Sequence, residues 1–216
     1  MILVPVKNLH NAKQRLAPVL PQSDRTELAQ TMLQDVLEAV SQASSDEVAL
    51  VTSDSFALDL ARFFNFEVIR DDSNLSETDA IATATQACLR RGIQTTVVIP
   101  GDIPLIRAAE IEQIYENAPE RGCVLVPSSD KRGTNAVLRR PAALFPLRFG
   151  NDSFMPHLTS AIAAESSVVV LALPGIALDV DTPDDLQQLA LALGEKRSQL
   201  LARQFGFGHA PAAVNS

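Results

Sequence analysis

Cysteine is scarce in this chain. Cys88 and Cys123 are the two present, and no CxxC spacing joins them, so neither a zinc knuckle nor a disulfide scaffold is supported. Basic residues are in deficit: 18 Lys and Arg stand against 26 Asp and Glu, for a net charge of −8. That balance argues against general affinity for nucleic acid or for anionic membranes, which need a basic face. It leaves an anionic substrate open, because a local basic loop can sit on an acidic body. Long apolar runs are missing as well. The longest, Val168 to Pro174, falls far below the roughly 20 residues that span a bilayer. The opening MILVPVK has no charged n-region and too short an apolar run for a signal peptide, so a cytoplasmic protein is expected. A GxGxxG after the first strand is absent, which disfavours an ordinary dinucleotide fold. No internal repeat is present.

What is there is the composition of a folded protein. Over 216 residues, 46% are hydrophobic and 20% charged, which suits one well-packed domain. We expect that domain over 1–205, with Gly206 to Ser216 a loose tail. Short apolar runs predict strands at Ile2–Val6, Glu47–Thr52, Phe66–Arg70, Thr95–Pro100, Cys123–Pro127, Asn135–Arg139 and Ser167–Leu173. Several are unbroken Val/Ile/Leu runs, the pattern of strands buried on both faces of a parallel sheet. Between them lie helical patterns. Leu28, Met32, Val36 and Val40, with Leu33 and Leu37, form one apolar stripe on a helix from Ser23, the expected N-cap, to about Ser41. Further helices are expected over Phe56–Phe64, Asp79–Arg91 (stopped by Gly92), Ala108–Asn117, from Asn151–Ser153 to about Ala164, and after Thr182-Pro183-Asp184-Asp185. Strands alternating with helices predict a three-layer α/β/α sandwich, Rossmann-like, around a mostly parallel sheet.

In such sheets ligands bind beyond the carboxyl ends of the strands. After the first strand, Lys7, Lys13 and Arg15 crowd one loop of an otherwise acidic chain. A solvated loop is the plain reading, and a polyphosphate clamp the functional one. After the fourth strand, Pro100-Gly101-Asp102-Ile103-Pro104-Leu105 fixes a carboxylate where it can hold a metal, though an Asp capping the turn is an equal alternative. Magnesium takes one or two carboxylates plus phosphate oxygens and waters. In Leu178-Asp179-Val180-Asp181-Thr182-Pro183-Asp184-Asp185, the last two carboxylates fit helix capping. Asp179 or Asp181 is then free to meet Asp102, and Asp181 is preferred. Gly133-Thr134-Asn135 together with Arg148-Phe149-Gly150-Asn151-Asp152-Ser153 offers a helix-start anion pocket, with a simple cap as the alternative. His157 reads first as a packing histidine and second as a catalyst. His10 and His209 suggest no partner, and Cys88 reads as a buried helix residue.

Taken in order, the Pro5-Val6-Lys7…Ala12-Lys13-Gln14-Arg15-Leu16 opening, the Pro100–Leu105 turn, Gly133-Thr134-Asn135, Arg148-Phe149-Gly150…Ser153-Phe154 and Asp179-Val180-Asp181-Thr182-Pro183 resemble the guanylyltransferases of coenzyme F420 biosynthesis (the CofC/FbiD family), relatives of the molybdenum-cofactor guanylyltransferases. The resemblance implies a nucleotide-diphospho-sugar transferase (GT-A-like) fold and a Mg²⁺-dependent transfer of GMP from GTP onto a phosphorylated three-carbon acid, with release of pyrophosphate. It implies catalytic roles for Lys13, Arg15 and Asp102, and nucleotide contacts from Pro5, Lys7, Lys13, Arg15, Ser76 and Gly101. It assigns the acid to Thr134, Gly150 and Ser153, and the metal to Asp102 and Asp181. Where the family often shows Gly-Leu-Asn-Xaa-Ala at the base-binding loop, this chain has Asn74-Leu75-Ser76-Glu77-Thr78-Asp79-Ala80, with Ser76 as the substitute. Three acceptors fit one anion pocket: 3-phospho-D-glycerate, phosphoenolpyruvate and 2-phospho-L-lactate. The polar Thr134, Asn135, Ser153 and Thr78 tilt the reading toward 3-phospho-D-glycerate. Competing readings are a related nucleotidyltransferase acting on a sugar phosphate or the molybdenum cofactor, and a non-catalytic nucleotide-binding module. A homodimer is the default assembly for such an enzyme.

Overall fold

Unbroken Val, Leu and Ile runs cannot face water on either side, and here they form the centre of the sheet. A computed structural model describes residues 1–43, 47–72, 76–150 and 152–208. In chain order the elements are β1 (Ile2–Val6), α1 (Gln22–Gln42), β2 (Val48–Thr52), α2 (Ser55–Phe64), β3 (Glu67–Arg70), α3 (Glu77–Arg90), β4 (Thr96–Val98), α4 (Ala108–Glu116), β5 (Gly122–Pro127), β6 (Thr134–Arg140), α5 (Phe154–Ala163), β7 (Ser167–Val170), α6 (Pro174–Ala177), α7 (Pro183–Leu191) and α8 (Arg197–Gln204). The strands form one seven-stranded sheet in the order β3-β2-β1-β4-β6-β5-β7. Parallel pairing joins β1 to β2 and β4, β2 to β3, and β5 to β7. β6 runs antiparallel to both β4 and β5. The Asn135–Arg139 run is thus a reversed strand, a direction that apolar content cannot encode.

Alternate residues of each strand serve opposite faces. Ile2, Val4, Leu50, Val97, Val124 and Leu138 meet α1, α2 and α4 on one side. Leu3, Ala49, Val51, Val98, Leu125 and Val137 meet α3 and α5 on the other. Cys88 is buried in that second cluster, and both cysteines are free. The expected single stripe on α1 is split: Leu33, Val36 and Leu37 face the sheet, whereas Leu28 and Met32 face Leu186, Leu189 and Leu201 of α7 and α8.

One expectation about a helix end is corrected. Ser23 does not cap α1. The helix opens at Gln22 with Pro21 in the cap position, and the Ser23 hydroxyl donates to Asp24 instead. Nothing in the sequence reading covered α8, which docks through buried Leu201 and Ala202 and through polar contacts as well. Buried Asp35 of α1 accepts from the backbone N–H of Ser198 at 2.9 Å and from its hydroxyl at 2.6 Å. The Thr182 signal holds: its hydroxyl accepts from Asp185 N–H while the Asp185 carboxylate accepts from Thr182 N–H. Gly92 closes α3 at φ +75°. Of the expected tail, Phe207 packs beside the α7–α8 cluster and Gly208 N–H donates to Gln187 at 2.9 Å. Residues 209–216, including His209, lie outside the described residues, as do Asn74, Leu75 and Asn151. No helix among the described residues is long and apolar enough to cross a membrane.

Candidate active site

β1 has parallel neighbours on both sides, with the chain returning to β2 on one side and β4 on the other. That is the topological switch point where a crevice opens beyond the strand ends. The loop after β1 enters this crevice as two 3₁₀ turns, Leu9–Asn11 and Gln14–Leu16, anchored by buried Leu9 and Leu16. Between them Lys13 adopts a left-handed backbone (φ 55°, ψ 44°). That conformation costs about 1 kcal/mol or more for a side-chain-bearing residue. It turns Lys13 inward while Gln14 and Arg15 after it are exposed.

The three cations of this loop therefore behave differently. The Lys13 side chain is 7% exposed, and its ammonium donates to Asp102 Oδ2 at 2.7 Å and to Asp181 Oδ1 at 2.8 Å. Arg15, 59% exposed, reaches Asp181 at 3.6 Å. Lys7 pairs with buried Asp71 at 2.6 Å. One ammonium nitrogen thus sits between the two carboxylates expected to hold a metal. Burial works against the Lys13 charge, but Asp102 and Asp181 outweigh it and raise its pKa. Burial pushes the Asp181 carboxyl up too, and Lys13 with Arg15 overcomes this and holds it below the usual range. Asp179 differs: burial raises it, offset in part by the Asn135 amide at 3.1 Å. Asp181 is thus the carboxylate that shares the Lys13 ammonium with Asp102, and Asp179 is held by Asn135 in the wall. The Asp185 cap also takes the Asp181 backbone N–H at 3.1 Å, so the helix-start chemistry aims Asp181.

Two cavities meet here. A larger one of about 450 Å³ is lined by Arg15, Asp102, Asp181, Thr134, Gly150 and Ser153 among others. A smaller one of about 270 Å³ is lined by Pro5, Lys7, Lys13 and Gly101 among others. Asp102, Pro100 and Glu77 line both. The expected nucleotide and acid groups fall on opposite sides of Asp102, with Arg15 on the acid side. Ser76 lines neither. Its hydroxyl caps α3, accepting from Asp79 N–H at 3.1 Å and donating to the Asp79 carboxylate.

The acid-side wall is more internally satisfied than a bare helix start. Ser153 does not cap α5; its Oγ accepts the Thr134 N–H at 3.0 Å. The first helical N–H, of Phe154, goes to Arg132 O, and Pro156 has none to give. Gly150 sits at φ +123°, where an L side chain is strained. Arg148 is exposed, and its backbone N–H donates to His157 Nε2 at 2.9 Å.

Glu77 was missed by the sequence reading. Burial, with Asp102 adding to it and Lys7 and Lys13 opposing, pushes its carboxyl up to about 7. It follows the loop beyond β3, so inspecting that strand end as closely as the others would have found it. Among the described residues no group of three or more His, Cys, Asp and Glu suits a metal. Two carboxylates already sharing one cation are the donor set Mg²⁺ uses when phosphate and water complete its shell.

The model of the family described as "Guanylyl transferase CofC like" matches residues 1–215. A phosphoenolpyruvate guanylyltransferase of Rubrobacter xylanophilus is 34% identical over 193 residues, covering 89% of this chain and 94% of that protein. A 2-phospho-L-lactate guanylyltransferase of Methanothermobacter thermautotrophicus is 31% identical over 189 residues, covering 88% and 83%. In structure, a Desulfovibrio desulfuricans protein assigned to the nucleotide-diphospho-sugar transferases superimposes with a TM-score of 0.76 at 20% identity, over 94% of this chain and 93% of that one.

Proposed function

The chain belongs to the CofC-like guanylyl transferase family, and from that membership we propose that it transfers GMP from GTP onto a phosphorylated three-carbon acid, in the assembly of coenzyme F420. One observation carries the reading: a Lys-lined cavity and a polar anion cavity open onto the same Asp102. GTP occupies the Lys7–Lys13 side, and the acid occupies the Thr134–Gly150–Ser153 side.

A phosphate monoester is a nucleophile at neutral pH, so the reaction asks for no general base. An oxygen of the acceptor phosphate forms a bond to the α-phosphorus. The bond from that phosphorus to the β-bridging oxygen breaks, and pyrophosphate leaves with the electron pair. The obstacle is repulsion between two polyanions, so catalysis consists of positioning and charge neutralisation. Lys7, Lys13 and Arg15 offset the triphosphate charge, each positioned cation contributing roughly 2–4 kcal/mol. Asp102 and Asp181 would hold Mg²⁺, which supplies Lewis-acid withdrawal of phosphate charge. Lys13, now between those carboxylates, would donate to the phosphates instead when Asp102 and Asp181 hold the ion.

Among the acceptors we favour phosphoenolpyruvate. Part of the polarity that pointed to 3-phospho-D-glycerate is committed inside the wall: Asn135 donates to Ile176 O, Ala177 O and Asp179, Thr78 Oγ1 accepts from Phe149 N–H, and Ser153 Oγ accepts from the Thr134 backbone N–H. The Rubrobacter relative's name points the same way. The test is pyrophosphate release with Mg²⁺, GTP or each other nucleoside triphosphate, and each of the three acids at equal concentration. Release with phosphoenolpyruvate fastest supports the reading. No release with any of them, or release that ignores the choice of nucleoside triphosphate, refutes it.

A further inference from the structure

His157 is a buried residue of α5 that the proposed reaction does not use. It is 1% exposed, with the Phe149 ring edge-on at 5.4 Å and Phe145 at 6.4 Å. Both ring nitrogens have partners. Nε2 lies 2.9 Å from the Arg148 backbone nitrogen, and Nδ1 lies 3.0 Å from Thr134 Oγ1. A backbone N–H can only donate, so Nε2 is the acceptor and the hydrogen of a neutral ring is on Nδ1. Burial, helped by the Arg139 cation, lowers the ring to about 4, so it is neutral at pH 7.

The consequence falls on Thr134. Its Oγ1 accepts from Nδ1–H, so its own hydrogen cannot point at the ring. Among the described residues no other acceptor takes it, and Thr134 lines the larger cavity. Ser153 next to it is in the same condition, its Oγ already accepting from Thr134 N–H.

We propose that His157 is a positioning residue for the acceptor: by holding Thr134 Oγ1 as an acceptor on the inside, it leaves the Thr134 hydroxyl to donate outward to an anionic oxygen of the bound acid. The same ring pins the Arg148 N–H, and Thr78 pins the Phe149 N–H, so the approach to Gly150 is set from two helices at once. This rests on the larger cavity being the acceptor site.

Two experiments test it. In ligand-free wild type, long-range ¹H–¹⁵N spectra should show His157 as the Nδ1–H tautomer throughout pH 6–8. In kinetics, His157→Leu and Thr134→Val should each raise KM for the acid by about 10- to 100-fold, with KM for GTP held within about twofold. His157→Asn, whose amide nitrogen can stand near Nδ1, should recover most of the loss. Adding His157→Leu to Thr134→Val should cost clearly less than the sum of the two separate effects, since both side chains share one hydrogen bond. An Nε2–H tautomer, an additive double variant, or equal rises in both KM values overturns the assignment while leaving the proposed reaction standing. Failure of wild type to release pyrophosphate with any of the acids overturns the reaction, and this inference with it.

Discussion

The backbone N–H of Val180 donates to the carbonyl oxygen of Asp102 at 3.1 Å. This bond ties the turn after β4 to the segment that enters α7. The carboxylates of Asp102 and Asp181 are therefore brought together by main chain rather than by long side chains. Short, backbone-fixed carboxylates are what a small hard cation requires, since Mg²⁺ tolerates little departure from its preferred geometry.

Asp102→Asn keeps the shape of that turn and removes one charge. Turnover should fall by at least about 10²- to 10³-fold, with the circular dichroism spectrum and melting temperature near those of wild type. Asp181→Asn should behave alike. Normal pyrophosphate release by either variant rejects the metal-holding role.

Lys13→Met should separate two properties that usually move together. If Asp102 and Asp181 hold a metal as proposed, the ammonium that now bridges them would have to leave first. Without it, Mg²⁺ binding to the nucleotide-free protein should tighten, read by calorimetry or by a larger Mg²⁺-induced rise in melting temperature. Metal-free stability should drop by about 1–3 kcal/mol, the two carboxylates being partly solvated, and turnover should fall. A weaker Mg²⁺ affinity in the variant contradicts the exchange.

Gly175 opens α6 under Glu110. A Cβ there would lie 2.2 Å from Glu110 Oε2 and 2.5 Å from Leu105 O, and would strain the 2.7 Å bond from Gly175 N–H to Glu110. Gly175→Ala should cost about 3 kcal/mol, or roughly 6–12 °C in a protein of this size. A melting temperature equal to wild type shows that α6 yields more than this packing allows.

Acid stability should carry a His157 signature. Its ring is lowered from 6.5 to about 4 in the folded chain. Between those values the unfolded chain binds a proton that the folded chain refuses. The stability of the neutral ring is thus whole above pH 6.5 and is lost as pH falls toward 4. Glu77, raised from 4.5 to about 7, works oppositely: its contribution is present below 4.5 and lost as pH rises through 7. Comparing wild type with His157→Asn removes the Glu77 effect. Urea midpoints at pH 7 and pH 4 should show wild type losing about 3 kcal/mol more than the variant. Parallel losses in the two proteins remove the depressed ring as the cause.

Much of the fold was legible because its signals are short-range. Unbroken apolar runs marked the strands, Thr182 and Gly92 marked helix ends, and the loops beyond the first and fourth strands drew attention to Lys13 and Asp102. The reversed β6 was not legible, since an apolar run reads the same in both directions. Nor was α8, because Ser198 and Asp35 help dock it by hydrogen bonds that no hydropathy pattern records. Ser76 carried the right residue type and turned out to be committed to a helix cap.

The amino-acid sequence by itself determined which segments become strands and helices and which loops carry the charge, because periodicity, caps and turns are settled between near neighbours. Tertiary structure alone decided that Lys13 stands between Asp102 and Asp181, that Asp181 rather than Asp179 is its partner, and which nitrogen of His157 carries the hydrogen. Those facts depend on strand order and on which polar groups burial leaves facing one another, and contacts between residues this far apart in the chain leave no local trace.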